Sequence, residues 1–280
     1  MNTSAPLAEA RIGLAMHDGR TMQFTVGVRS TRKAAFALSL RKSGSSLFSN
    51  LVSAVSSHNN VPVVDIPGRM FEFGYRYADW NEHKGLRDLV WRGNTYTGFR
   101  DPPTAFYGDQ VFEQAPKLLL VRDPRDVLVS EYFSNAYSHS LPSSEAETSV
   151  LSRERKEALQ SSLEDYVLSR VQPLNQTVDG YRRLLGSKNL MVLRYESVIF
   201  DKPAWISTIA SHFGMEAPQS LIDGVMSWAD VVPETEDPKS FIRKVTPGDH
   251  IEKLAPAVIR ELNTRLNDIW RRFGYELGAV

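Results

Sequence analysis

Lys42-Ser43-Gly44-Ser45-Ser46 sets one amine, three hydroxyls and a glycine between an apolar run at 33–40 and a segment of helical character at 45–57. That grouping suits an anion. Backbone N–H groups converge where a helix starts, and the helix dipole adds partial positive charge there. Ser43, Ser45 and Ser46 add hydroxyl donors, and Lys42 adds a full charge. A phosphate fits such a loop. The nucleoside-triphosphate signature GxxxxGK[ST] does not match, because here the lysine precedes the glycine and the first glycine is missing. A second anion-seeking group is Arg122, at the end of the apolar run 117–122, with Ser130 one to two helical turns beyond it. The two can clamp one phosphate from two sides. A third is the adjacent pair Arg243 and Lys244, and a guanidinium fork matches phosphate oxygens. Each piece alone also fits an ordinary turn, a capping arginine or a solvated basic pair.

The surrounding elements must bring these pieces together. Apolar runs at 33–40, 61–66, 117–122 and 189–195, with 95–99 between them, read as strands of a parallel sheet. Helical stretches are expected at 45–57, 104–115, 125–138, within 141–171, at 173–185, 202–213 and 218–227, and finally at 255–273. In the last of these Val258, Leu262, Leu266, Ile269 and Phe273 form one stripe. Strands alternating with helices predict an α/β fold, three-layered, with about five parallel strands between helices. In such sheets ligands lie beyond the C-terminal strand ends, where Lys42 and Arg122 both fall. Residues 11–28 carry two β-rich runs around Asp18-Gly19 and predict a hairpin, taken as an appendage over 1–32 before a main domain at 33–280. Residues 67–92 are aromatic and mixed in charge without a clear period and are expected to form a long loop, as is 230–254.

Lys+Arg and Asp+Glu both number 33, so the net charge is zero. A general nucleic-acid or membrane-surface binder is usually basic, and neither partner is expected. The chain has no cysteine, which excludes disulfides, thiolate nucleophiles and cysteine-ligated metals. The first 16 residues lack a basic segment followed by an apolar core, and no window approaches 18 apolar residues, so a cytoplasmic location is expected.

Taken together, the three pieces resemble the sulfotransferases that use 3'-phosphoadenosine 5'-phosphosulfate (PAPS). Their Lys-Ser-Gly-Thr-Thr loop reads Lys42-Ser43-Gly44-Ser45-Ser46 here. Their Arg-Asn-Pro-Lys-Asp, followed by Val-Ser, reads Arg122-Asp123-Pro124-Arg125-Asp126 with Val129-Ser130. Their late Arg-Lys-Gly-x-x-Gly-Asp-Trp reads Arg243-Lys244-Val245-Thr246-Pro247-Gly248-Asp249-His250, and their Tyr-Glu-Asp reads Tyr195-Glu196-Ser197. The resemblance runs over about residues 33–276 and implies a P-loop-like fold. It implies PAPS as donor and 3'-phosphoadenosine 5'-phosphate (PAP) as product, with no metal required. The stretch Arg41 to Ser46 would hold the 5'-phosphosulfate end. Arg122, Ser130, Arg243 and Lys244 would hold the 3'-phosphate, and Tyr195 would sit near the adenine. Leu47 stands where the family has a tryptophan on the adenine, Val245 where it has a glycine, and His250 where it has a tryptophan.

The implied reaction passes a sulfuryl group in line to an acceptor hydroxyl or amine. Lys42 would meet the charge growing on the leaving phosphate oxygen, and Ser130 would also restrain Lys42. An acceptor hydroxyl needs a base. A family histidine is missing: Arg100 occupies its place, and arginine is not a ready base. Asp101 is the first candidate, His83 the second, with Asp65 and Glu72 after them; His58 and His139 read as surface residues. The acceptor could be a small molecule, a lipid or a carbohydrate, and a homodimer is possible. Two other readings remain: a divergent P-loop kinase, and a protein that binds 3'-phosphoadenosine without turnover.

Overall fold

A computed structural model describes residues 9–138 and 145–278. His139 and the start of the polar stretch 141–149 lie outside the described residues. Seven strands are described: β1 Glu9–Ala15, β2 Thr21–Gly27, β3 Ala35–Ser39, β4 Val63–Val64, β5 Thr95–Phe99, β6 Lys117–Val121 and β7 Leu190–Arg194. The helices are α1 Ser45–His58, α2 Ile66–Glu72, α3 Tyr77–Trp80, α4 Gln110–Gln114, α5 Pro124–Phe133, α6 Glu145–Gln160 and α7 Leu163–Asp179. After them come α8 Tyr195–Val198, α9 Lys202–Phe213, α10 Gln219–Ala229, α11 Asp249–Lys253, α12 Pro256–Arg265 and α13 Ile269–Arg272.

Strands β3 to β7 form one parallel sheet in the order β4-β5-β3-β6-β7. Every residue of β3 and of β6 is buried, and their side chains divide by parity. Phe36, Leu38, Leu119 and Val121 join a cluster with α5, α7 and α12. Ala35, Ala37, Leu118 and Leu120 join another with α1, α9 and α10. Successive side chains in a strand point to opposite faces, so the uninterrupted apolar runs follow from helices covering both faces. The α/β architecture expected from the sequence is therefore present, with a five-strand parallel sheet and a separate antiparallel N-terminal hairpin.

The hairpin's inner residues Leu14, Met16, Met22, Phe24 and Val26 are buried in the first of these clusters. Asn94 fastens it: Oδ1 accepts from Gly27 N at 2.7 Å and Nδ2 donates to Gly27 O at 3.1 Å.

Five segments differ from the sequence expectations; one is 230–254, expected as a loop, which holds the short helix α11 at Asp249–Lys253. Residues 67–92 hold α2, α3 and a 3-10 turn at Lys84–Leu89 rather than an open loop. Elements this short show no periodicity; their caps define them, as where the Asp65 carboxylate accepts from Gly68 N. Expected breaks near 172 do not occur, because α7 runs through Pro173 with Val167, Val171 and Val178 packed in the core. The expected helix 255–273 breaks into α12 and α13. There Asn175 donates to Arg265 O and accepts from Asn267 N, supplying hydrogen bonds that a continuous helix would have made internally. Within 104–115 a 3-10 turn, Thr104–Phe106, precedes the short α4. No helix among the described residues is long and apolar enough to cross a membrane.

Replacing Asn94 by Ala leaves a buried N–H and C=O of Gly27 unpaired, each costing about 1–3 kcal/mol. Urea unfolding of Asn94→Ala should show stability reduced by about 2–3 kcal/mol; a loss under about 0.5 kcal/mol would deny the side chain this role.

Candidate active site

All five parallel strands deliver chemistry at their C-terminal ends. Asp65 follows β4, Arg100 and Asp101 follow β5, Arg41 and Lys42 follow β3, Arg122 closes β6, and Tyr195 follows β7. The strand order sets the layout: Arg100 stands on one side of the loop after β3, and Arg122 on the other.

That loop is a tight turn. Lys42 and Gly44 both have positive φ, 62° and 86°, a region that costs a non-glycine residue energy and is held only by its surroundings. Arg122 Nη1 donates to Lys42 O at 3.4 Å, and Ser43 N to Leu40 O at 3.4 Å. The Ser43 hydroxyl is fully buried and donates to Leu40 O at 2.6 Å. Ser43, expected from the sequence to offer its hydroxyl to a phosphate, thus spends it on the turn. Ser45 and Ser46 open α1, and Ser46 Oγ accepts from Arg100 at 3.2 Å.

Tyr195 lies under this loop and is 4% exposed. A Cβ on Gly44 would meet its ring at 3.0 Å. The Arg122 guanidinium sits 4.6 Å from the ring centroid, and the hydroxyl donates to Val245 O at 2.9 Å. One aromatic side chain therefore joins the loop after β3, the end of β6 and the segment after Arg243. Leu47, Ile199 and Val245 pack around it. The sequence reading put Tyr195 near an adenine; in the fold its ring is enclosed by protein groups.

Arg122 is buried. Asp126, one turn into α5, accepts from it at 3.5 Å and also from Gly248 N, His250 N and His250 Nδ1 at 2.7, 3.0 and 2.6 Å. Burial opposes ionisation of Asp126, but the His250 hydrogen bond and the Arg122 charge outweigh it and hold the carboxyl well below the usual carboxylate range. The Arg122 Nε remains buried with no partner among the described residues, an arrangement costly unless an acceptor arrives. Asp126, Ser130 and Phe133 share one face of α5 at helical spacing. Phe133 carries the Arg243 guanidinium 4.3 Å from its ring centroid, so Ser130 stands between the Arg122 and Arg243 contacts. Arg243 pairs with Glu236 and Asp249, while Lys244 pairs with Asp249 at 3.2 Å and with Glu252.

Lys42 makes no side-chain hydrogen bond or ion pair among the described residues. Burial pushes its pKa down to about 8; the Glu131 charge works against this, and those of Arg100, Arg122 and Arg243 add to it. Of the cations at this edge, Lys42 and Arg100 have no carboxylate partner among the described residues, which leaves the loop side a preformed seat for an anion. A cavity of about 330 Å³ lies behind it, between Asp123, Glu196 and His250, with no residue of the 41–46 loop in its wall. Its carboxylates are already engaged: Glu196 accepts from Asp123 N and from Tyr275, each at 2.8 Å.

The base candidates separate clearly. Asp101 Oδ2 takes both Nη2 and Nε of Arg41, at 2.8 and 3.3 Å, so both residues are committed to one ion pair. His83 donates through Nε2 to Ala15 O at 2.8 Å if Nδ1 accepts from Gly85 N at 3.1 Å, which leaves the ring no free lone pair. Glu72 pairs with Arg69 at 3.1 Å on the surface. Asp65 differs. Its carboxylate lies flat against Gly98, where a Cβ would come within 1.9 Å of Oδ1. A bulge between β3 and β5 and the positive φ of Gly98, 84°, make that approach possible. Crowding by protein raises its pKa, against the Gly68 hydrogen bond and the Arg100 charge. Little in the chain signals this beforehand, because it depends on a glycine 33 residues away.

The chain matches the family model described as Sulfotransferase domain over residues 32–268. No curated protein matched it by sequence. Among solved structures it is similar to mouse sulfotransferase SULT7A1 complexed with PAP, at 16% identity over 88% of this chain and 89% of that one, TM-score 0.56. It is also similar to retinol dehydratase in a complex with retinol and PAP, at 15% identity over 95% and 90%, TM-score 0.55. At these identities the likeness is one of fold.

The depressed pKa of Lys42 has a defined consequence for stability. The charged amine destabilises the ligand-free fold fully below about pH 8, progressively less up to the ordinary lysine value of 10.5, and not above it. Lys42→Met keeps the length of the side chain without the charge. Thermal and urea unfolding should find it more stable than the parent at pH 7, by about 1–2 kcal/mol after allowing for solvent screening. The difference should vanish above about pH 10.5; an equal difference at pH 7 and pH 11 would refute this account.

Proposed function

The chain belongs to the sulfotransferase domain family, and from that premise we propose that it transfers a sulfuryl group from PAPS to an acceptor hydroxyl or amine. The observation that carries this reading is the set of cations at one sheet edge, Lys42, Arg122 and Arg243 around Gly44 and Tyr195, with Lys42 and the Arg122 Nε unpaired. A nucleotide with separate anionic groups on its 3' and 5' sides suits two clusters set apart along that edge.

The 5'-phosphosulfate belongs at the start of α1, on loop amides and the Ser45 and Ser46 hydroxyls, with Lys42 beside the bridging oxygen. The 3'-phosphate belongs with Arg122, Ser130, Arg243 and Lys244. Arg243 and Lys244 would exchange part of their carboxylate pairing for it. Tyr195 acts as a positioning residue, since it fixes the Arg122 plane and the Val245 carbonyl.

In the transfer the acceptor oxygen bonds to sulfur while the bond from sulfur to the phosphate oxygen breaks. The bonding pair leaves with that oxygen, and Lys42 stabilises the charge. The acceptor proton goes to a carboxylate. Asp65 is the better base than Asp101: its pKa is raised, whereas Asp101 is tied to Arg41. A base is most effective with its pKa close to working pH.

Titration with PAP and with adenosine 5'-phosphate, and radiolabelled sulfate transfer from PAPS over a panel of phenols, sugars and amines, test the reading directly. Arg122→Ala should weaken PAP about 100-fold, in the range of a lost charged hydrogen-bond set, and adenosine 5'-phosphate at least about tenfold less than PAP, that smaller loss coming from the Lys42 carbonyl which Arg122 no longer holds. Equal losses would remove Arg122 from the 3'-phosphate. Asp65→Asn should cut turnover by about 10²–10⁴ with PAP affinity unchanged, and Asp101→Asn by less than about tenfold. The reverse order would return the base to Asp101.

A further inference from the structure

Lys253 has no part in the PAPS scheme, yet it shares every partner of Arg243. It ends α11, and its Nζ donates to Glu236 Oε2 at 2.8 Å and lies 3.1 Å from Asp249 Oδ1. Arg243 pairs with the same two carboxylates. Both cations also stand over one ring, that of Phe133, with Arg243 at 4.3 Å and Lys253 at 5.6 Å from its centroid. That ring ends the face of α5 on which Ser130 stands, the face given to the 3'-phosphate. With Lys244 the cluster sets three cations against three carboxylates, Glu236, Asp249 and Glu252. A balanced cluster attracts an incoming dianion little unless a carboxylate leaves it.

The two shared carboxylates are held differently. The Asp249 side chain is 1% exposed, with Arg243, Lys244 and Lys253 around it. The Glu236 side chain is 26% exposed and belongs to 230–248, which carries no helix or strand. Among the described residues the Glu236 backbone makes no hydrogen bond, so only Arg243 and Lys253 hold it to the body. Burial opposes its ionisation, but the hydrogen bonds from Lys253 and Arg243 outweigh this and lower its pKa. At neutral pH it is an anion lodged between two cations, with little else to keep it there.

We propose that the Glu236 carboxylate is an internal stand-in for the 3'-phosphate, and that a nucleotide bearing that phosphate displaces it and takes over both Arg243 and Lys253. This rests on the PAPS reading above and adds Lys253 to the groups that hold the donor. The exchange favours the phosphate. A phosphate monoester carries about 1.5–2 negative charges and three acceptor oxygens, whereas the carboxylate has one charge and two oxygens. Asp249 stays behind and keeps the two cations in place. The exchange also limits affinity, because donor and product alike compete with a carboxylate tethered beside the site at high effective concentration. Glu236 thus weakens PAP and hastens its departure after transfer. A ligand without the 3'-phosphate leaves the pairing intact: it meets no competitor and gains neither cation.

Titration of variants with PAP and with adenosine 5'-phosphate tests this without an identified acceptor. Glu236→Gln should bind PAP about tenfold tighter than the parent, in the range of one charged hydrogen bond, and adenosine 5'-phosphate within about twofold, which also reports an intact site. Glu234→Gln removes an equal charge from an exposed side chain that makes no ion pair among the described residues, and should leave both ligands within about twofold. Lys253→Met should weaken PAP about tenfold when added to Glu236→Gln, and less in the parent, where the same lysine also holds the competitor. Unchanged or weaker PAP binding by Glu236→Gln would overturn the proposal. So would equal gains for the two nucleotides, an equal gain in Glu234→Gln, or no loss on adding Lys253→Met. Failure of the parent to bind PAP at all would overturn the donor reading, and this inference with it.

Discussion

The guanidinium of Arg122, stacked on Tyr195 and held by Asp126, is the joint on which the rest of the site depends. It donates to the carbonyl of Lys42, whose positive φ needs an outside hold. Asp126 extends the same joint to Gly248 and His250, and the Tyr195 hydroxyl extends it to Val245. Four stretches of chain are thereby fixed around one buried cation. Removing Asp126 would leave Arg122 buried without its carboxylate, the costly way to break such a pair. The backbone of the loop would lose its anchor at the same time.

This joint also explains how so many positive groups coexist. Lys42, Arg100 and Arg122 are close enough to disfavour the charge on Lys42. The fold tolerates them because Glu131 and Asp126 offset part of the repulsion from behind, while the fronts are left unpaired. Around Arg243 the solution is different: Glu236, Asp249 and Glu252 supply a local counter-charge. The loop side of the edge is thus electrostatically open and the Arg243 side is closed by the protein's own carboxylates. An anionic nucleotide would relieve the first and compete with the second.

Much of the framework was legible beforehand. The runs 35–38 and 118–121 are apolar because both faces of the sheet are covered, and that pattern does not need a partner to be recognised. The turn at Asp18-Gly19 and the start of α1 after Gly44 were equally visible, since local chemistry defines them. The short helices in 67–92 were not, nor the break after Arg265. In each case hydrogen bonds from a side chain such as Asp65 or Asn175 decide the geometry, and Asn175 lies far from the chain it bonds.

By itself the sequence determined where the cations stand relative to strand ends, because strand length and the glycine turn set that locally. It therefore gave Lys42, Arg122 and the pair Arg243-Lys244 as groups for one anion. Only the tertiary structure decided which groups remain available. Ser43 and Ser46 look alike in the chain, yet one faces Leu40 O and the other faces Arg100. Asp101 and Asp65 are both carboxylates after strands, yet Arg41 claims the first, and Gly98, reached through a bulge, crowds the second. Availability depends on desolvation and on partners tens of residues distant, and these exist only once the sheet has ordered its strands.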